Sequence, residues 1–380
     1  MLPVSPVVIF VFKFIFCFMP LPSPPSPELL PVTLLTGFLG SGKTTLLNQL
    51  IRHLPRTAVV MNEFGEISLD HDLLEKMEGP MAVLSGGCVC CTVVGTLSPT
   101  LKNLYMARER GDIPRFERVV IETTGIADPA PILDTLLNDP WVRARFRMDG
   151  VVTTVDAVLG EAQLDSYFEA QRQVAVADKL ILTKTDLAAA ADLSALQARL
   201  SALNPAAEQM AAVKGEMDFE RVLNLGLFNL RDKVPDVQKW LNEQRYKPVK
   251  AGSAMGKKAA ADGHDNRIRS FSVVIDEPIP PAGLQAALEM LVGFRSEYLL
   301  RFKAIVNLAG HDKPTILHGV QHVLYPEAEL EDWPSDDRRS RFVFIVRDLD
   351  PEFVAKVLTD FTQAASLAPP NETLHGAVKP

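Results

Sequence analysis

The sequence is poor in the features that mark several large protein classes. Its most apolar stretch, Val7–Met19 (VVIFVFKFIFCFM), is broken by Lys13 and falls well short of the roughly 20 residues that a membrane-spanning helix needs. It has no dense basic stretch. With 39 Lys and Arg against 47 Asp and Glu, and a net charge of −8, nothing supplies the counter-charge that a nucleic-acid backbone requires. Cysteine is scarce: Cys17, Cys88, Cys90 and Cys91 are all there are, and three of the four crowd into four residues, poor geometry for a disulfide framework. No internal repeat is visible. These absences argue against a membrane protein, a nucleic-acid binder and a disulfide-stapled domain. What is left, at 380 residues with 47% hydrophobic and 23% charged, is a globular chain long enough for two domains.

The first thirty residues also lack the parts of a signal peptide. Lys13 interrupts the apolar segment, and no small-x-small cleavage site precedes the proline-rich run Pro20–Pro27. Met19 is expected to be the natural start, with residues 1–30 an unstructured extension of a cytoplasmic protein.

Periodicity organises the rest. Short apolar strands at Val32–Thr36, Ala58–Met61, Arg118–Ile121, Gly150–Val155 and Lys179–Leu182 alternate with helical stretches such as Thr44–Leu54. That alternation predicts a mostly parallel sheet covered on both faces, with ligands collecting at the carboxyl ends of its strands. From 247 to 266 the pattern gives way to small and polar residues, read as a linker. Beyond it, strands at Ile268–Ile275, Leu300–Leu308, Thr315–Leu324 and Arg341–Val346 and helices at Pro281–Leu291 and Pro351–Phe361 predict a small α+β domain of ferredoxin-like layout. The expected division is a P-loop NTPase domain over 31–246, a linker over 247–266, the α+β domain over 267–365 and a tail over 366–380.

Gly37-Phe-Leu-Gly-Ser-Gly42-Lys43-Thr44 matches G-x-x-x-x-G-K-[ST] between a strand and a helix. Such a loop turns backbone N–H groups and a helix N-terminus toward phosphates. The expected nucleotide contacts are Gly37, Gly40, Ser41, Gly42, Lys43, Thr44 and Thr45. Lys43 is placed on the β- and γ-phosphates, and the Thr44 hydroxyl on Mg²⁺. Glu122 closes a strand where a magnesium-holding acid belongs, and Gly125 lets the following loop approach the γ-phosphate. Thr183-Lys184-Thr185-Asp186 follows another strand. There the Asp186 carboxylate accepts from both guanine donors, a pair that adenine lacks, and the Lys184 stem lies along the base. The nucleotide is therefore read as GTP, although the guanine box of GTPases ordinarily has Asn where Thr183 stands. Lys43, Thr44 and Glu122 are the residues expected to carry catalysis.

Gly86-Gly87-Cys88-Val89-Cys90-Cys91-Thr92 is the second strong feature. Thiolates are soft ligands suited to zinc and similar metals. Three thiols so close together do not all fit easily on one tetrahedral ion, so two of them with a distant group is the preferred arrangement. Glu63 and Glu66 are the natural outside donors, with His71 a weaker one. His318 and His322, two positions either side of Val320 on an expected strand, are read as packing residues on one face.

Taken together, TLLTGFLGSGKTTLLNQL, NEFGEISLD, GGCVCCT, RVVIETTGIADPAPI, DGVVTTVDAV, LILTKTD, LLRFKAIVNL and ILHGVQH resemble the CobW family of P-loop GTPases, in its YjiA-like branch. The resemblance implies a GTPase domain of the class that includes HypB and UreG, a CobW C-terminal domain, and metal binding at Cys88, Cys90 and Cys91. It also implies GTP-coupled delivery of zinc or another transition metal to a client protein. Two departures stand out: His264 alone represents the histidine-rich stretch that many members carry near the linker, and Met61 stands where some relatives have an acid. No residue stands out as a water-positioning glutamine, so intrinsic hydrolysis is expected to be slow, accelerated by the client or by homodimerisation. Two alternatives stay open: a metal or redox sensor whose nucleotide only stabilises the fold, and a P-loop kinase.

Overall fold

The structure, a computed structural model, describes residues 29–54, 56–62, 81–84, 92–223, 240–250, 267–295 and 297–367. Two sheets organise it. The first has seven parallel strands: β1 Leu30–Gly37, β2 Thr57–Asn62, β3 Met81–Leu84, β4 Arg118–Glu122, β5 Phe146–Asp156, β6 Lys179–Thr183 and β7 Glu208–Ala212. Their spatial order is β3-β2-β4-β1-β5-β6-β7. The central strands are apolar on both faces because helices cover both. On one face the helix Lys43–His53 sets Leu46, Leu47 and Leu50 against Leu35, Val59, Val120 and Val152. On the other, Leu97, Leu101 and Phe116 join Ile132, Leu133 and Leu136 of the helix Ala130–Asn138 over Val32, Leu34 and Ile121. Each of these side chains, fully removed from water, contributes roughly 1.5–3 kcal/mol before conformational entropy is counted.

The second sheet has the order β12-β11-β10-β14-β9-β8, with β13 Ala328–Glu329 paired to β11. Its strands are β8 Lys247–Val249, β9 Ile268–Ile275, β10 Leu299–Val306, β11 Thr315–Val320, β12 Val323–Leu324 and β14 Ser340–Arg347. The helices Pro281–Arg295 and Pro351–Leu367 pack on one face around Phe271, Phe302, Phe342 and Phe344.

Three expectations need correcting here. Lys247–Val249, assigned to the linker by composition, is an edge strand parallel to β9, so the sheet is mixed. Pro248 is tolerated there because an edge strand can spare a donor. Thr315–Leu324 is not one strand but a hairpin, turning at Gln321 and His322, with Gln321 at φ 52. Accordingly His322 lies in the turn and is exposed, while His318 is buried and stacked on Tyr325 at 4.1 Å. Packing is therefore the role of His318, but the two histidines do not share a strand face.

The two sheets meet through buried polar and apolar contacts. Arg301 on β10 pairs with Asp178 and donates to the carbonyls of Val176 and Ala177 at 2.6 Å each. Lys303 lies 3.7 Å from the same carboxylate. Val320, Val323 and Tyr325 of the hairpin are buried within the cluster formed by the first sheet and the helix Ala130–Asn138.

Candidate functional site

The residues singled out in the sequence converge at the carboxyl ends of β1, β4, β5 and β6. As β1 ends, Gly37 (φ 144) passes so close to β5 that a Cβ there would sit 2.3 Å from the Thr154 hydroxyl. Only glycine fits. The loop then runs to the helix at Lys43, with Gly42 left-handed at its start. The helix has neither a side-chain cap nor an acidic residue in its first turn. Its leading N–H groups and the positive end of its dipole therefore suit an anion from outside the helix. Lys43 Nζ donates to the carbonyls of Gly37 and Phe38 at 2.8 and 3.1 Å. Burial lowers its pKa, and the Glu122 carboxylate works against that shift.

Glu122, at the end of β4, accepts from the Thr44 hydroxyl at 3.1 Å and is itself buried. This pair of hard oxygens is the donor type that Mg²⁺ takes directly or through water. Three residues on, Gly125 lies against the phosphate loop. A Cβ at Gly125 would come within 2.7 Å of the Leu39 nitrogen and 2.8 Å of its Cα.

On the other flank, the Thr183 hydroxyl donates to the Ser41 carbonyl at 2.8 Å. Thr183 thus has a structural task that accounts for a hydrogen-bonding residue at a position usually held by Asn. Lys184, left-handed at φ 55, donates to the Gly40 carbonyl at 2.9 Å and to Asp156 at 2.6 Å. Asp186 is exposed in the turn that follows. After β7, Gly215 approaches the carbonyl of Thr45, where a Cβ would be at 2.9 Å.

Sequence reasoning missed Asp156, which is fully buried. Its second oxygen accepts from the N–H groups of Val158 and Leu159 at 2.8 and 3.1 Å, so one carboxylate shapes the turn after β5 and orients Lys184. A signal was available: an acid closing a strand at the ligand edge of a parallel sheet. Gln173 was also missed. It is buried in the helix Phe168–Val176 and donates to the carbonyls of Gly125 and Ala127.

Cys88, Cys90, Cys91, Glu63, Glu66 and His71 lie outside the described residues, as does His264. Among the described residues no group of three His, Cys, Asp or Glu is placed to hold a metal ion, and no helix is long and apolar enough to cross a membrane.

Over 325 residues the chain is 34% identical to the zinc chaperone YjiA of Escherichia coli (strain K12), a match that spans 85% of this chain and 96% of that protein. The chain belongs to the CobW family. Residues 31–211 match the CobW/HypB/UreG nucleotide-binding domain, and residues 268–362 match the cobalamin synthesis protein cobW C-terminal domain. This CobW chain shares its two-sheet architecture with the crystal structure of Zn(II)-bound YjiA GTPase from E. coli. There the TM-score is 0.66 at 28% identity, covering 88% of this chain and 99% of that one. It is also 35% identical over 213 residues to zinc-regulated GTPase metalloprotein activator 1 of Schizosaccharomyces pombe, across 52% of this chain and 50% of that protein.

Proposed function

We propose that this CobW-family chain binds and slowly hydrolyses GTP with Mg²⁺, and couples the turnover to delivery of zinc or another transition metal to a client protein. The observation that carries the reading is the convergence of Lys43, Thr44, Glu122 and Thr183 on one loop, in a chain whose relatives are named zinc chaperones and GTPases.

In this reading the phosphates lie over the N–H groups that open the helix Lys43–His53. Lys43 already spends two of its three donors fixing the loop and directs the third to the β- and γ-phosphates. Thr44 and Glu122 would hold Mg²⁺, which would supply positive charge to offset that of the phosphate oxygens. Water adds to the γ-phosphorus, and the bond to the bridging oxygen breaks. GDP leaves with that electron pair, and the water proton passes to solvent. Gly125 lets its loop reach the γ-phosphate, and Asp186 accepts from the guanine donors. The loop Glu122–Asp128 contains no glutamine, in keeping with slow hydrolysis that a client or a second copy of the chain accelerates.

Cys88, Cys90 and Cys91, with Glu63 and Glu66, hold the metal cargo in this reading, and metal and GTP affinities are reciprocally linked. The test is GTP affinity with and without Zn²⁺, in the wild type and in a Cys90→Ser, Cys91→Ser double variant. Zinc is expected to shift GTP affinity in the wild type alone. Identical metal effects in both proteins would overturn the coupling.

A further inference from the structure

The loop Gly125–Asp128 is held from three sides, and one of those sides is the C-terminal domain. Gly125 lies against the backbone of Leu39 in the phosphate loop. Behind it, Gln173 donates to the carbonyls of Gly125 and Ala127 at 3.2 and 3.3 Å from a site only 1% exposed. At the far end, Asp128 accepts from the N–H of Ala130 at 3.0 Å and pairs with Arg172. It also accepts from Gln321 Nε2, at 3.1 and 3.2 Å to its two oxygens.

Gln321 belongs to the other domain, 193 residues away in sequence. It occupies the β11–β12 turn, with φ 52, and its N–H donates to the carbonyl of Leu300 on β10. The turn is a fixed platform, because Val320 and Val323 on either side are wholly buried against the helix that begins at Ala130. A single four-residue stretch therefore touches the phosphate loop at one end and the C-terminal hairpin at the other. Loops that follow the magnesium-binding acid in nucleotide switches reorder with the γ-phosphate.

We propose that Asp128, Arg172 and Gln321 are positioning residues for GTP hydrolysis, through which the C-terminal domain sets the placement of Gly125 and senses the nucleotide in return. This rests on the GTP reading above. Release of Gln321 leaves Asp128 with Arg172 and the N–H of Ala130, severs the loop's distal end from the C-terminal hairpin, and loosens Gly125 at the reacting phosphate. The base and the α- and β-phosphates touch none of these groups, so GDP affinity stays as it was. Because binding couplings are reciprocal, the nucleotide that fixes Gly125 also fixes the hairpin.

The test uses the full chain with Gln321→Asn, which tolerates the left-handed turn but shortens the reach, and Gln321→Gly, which removes the side chain without backbone strain. Single-turnover GTP hydrolysis is expected to fall about fivefold or more in both, with GDP affinity, read by equilibrium titration, within about twofold of wild type. Hydrogen exchange in the wild type supplies a readout that a purely structural contact would not move. The amides of residues 320–323 are expected to be better protected with a non-hydrolysable GTP analogue than with GDP, and that difference is expected to vanish in Gln321→Gly. Wild-type hydrolysis in both variants, or equal protection with the two nucleotides, overturns the proposal. Should a Gln321 variant fold poorly, Arg172→Lys reads the same node from inside the first domain, with the same expected loss and the same overturning result. Failure of the GTP reading shows separately, as a wild-type chain that binds no GTP and a Lys43→Ala variant indistinguishable from it; that result removes the proposal as well.

Discussion

The Thr183 hydroxyl donates a hydrogen bond to the carbonyl of Ser41 at 2.8 Å, tying the turn that would read the base to the loop that would hold the phosphates. Ser41 is itself buried and shares a 2.7 Å hydrogen bond with Thr154, so the tie has little room to re-form elsewhere. Thr183→Val keeps the shape and removes the donor, leaving a buried carbonyl short of a partner. The expected cost is about 1–2 kcal/mol, read as a roughly 5- to 30-fold loss of GTP affinity by titration calorimetry. Thr183→Ser keeps the hydroxyl and is expected to bind like the wild type. Equal affinities in Val and Ser variants would remove the bond from the account.

Asp156 serves two masters, the turn after β5 and the ammonium of Lys184. Asp156→Asn retains an acceptor for the N–H groups and loses the charge facing Lys184. Because Lys184 is 39% exposed, solvent screens part of the effect, and a destabilisation of about 1–2 kcal/mol is expected in urea. GTP and GDP affinities are expected to fall by the same factor if Lys184 lies along the base that both share. A fall confined to GTP would place Lys184 at the phosphates instead.

Gly125→Ala puts a methyl group against backbone atoms of Leu39 that cannot swing aside. The loop has to retreat, and about a ten- to hundredfold loss of kcat is expected for a displacement near 1 Å. GDP affinity is expected to change little. Wild-type turnover in this variant would mean that the loop's closeness to the phosphate loop is incidental.

Lys303 gives a pH signature at the seam between the sheets. Burial is the main cause that brings its pKa down to about 7; the Arg301 guanidinium adds to the shift and Asp178 opposes it. His318, buried beside it, has its pKa lowered chiefly by burial and then by Arg301 and Lys303. The unfolded lysine keeps its proton up to its ordinary range near 10.4. Between these two values the unfolded chain binds more protons than the folded one, so stability rises with pH through that window. The cost of charging Lys303 is fully present below pH 7. Relative to Lys303→Met, the wild type is expected to gain up to ~1.4 kcal/mol per pH unit above 7, measured by urea unfolding at pH 6.5, 7.5 and 8.5. Parallel pH profiles for the two proteins would show that the folded chain keeps the amine protonated throughout, as a solvated lysine does.

Much of this architecture was legible along the chain because its signals are local. Leu46, Leu47, Leu50 and Ile51 recur at helical spacing, and Gly37–Thr44 needs only its neighbours to be recognised. β3 and β7 escaped notice because four residues, or the weak pattern Glu-Gln-Met-Ala-Ala, carry no alternation. The β11–β12 turn was hidden because Gln321 adopts the left-handed conformation without the Gly or Asn that would have announced it. β8 was lost in a polar stretch because an edge strand of three residues needs no apolar face. In the site, the motif residues were visible individually. The bonds that organise them, Asp156 to Lys184 and Gln173 to Gly125, join residues 28 and 48 positions apart, a distance over which periodicity says nothing.

The seating of Val320, Val323 and Tyr325 in the first domain's core bears on how the protein comes apart. A chain ending at Val249 would leave an apolar trough beside the helix Ala130–Asn138 with nothing to fill it, and the severed hairpin would carry the matching side chains into water. Melting is therefore expected to be one concerted transition, although the family's sequence signature comes in two pieces. A ribosome that has released only the first piece holds an unfinished fold, and the later-made Val320, Val323 and Tyr325 are among the residues that close it.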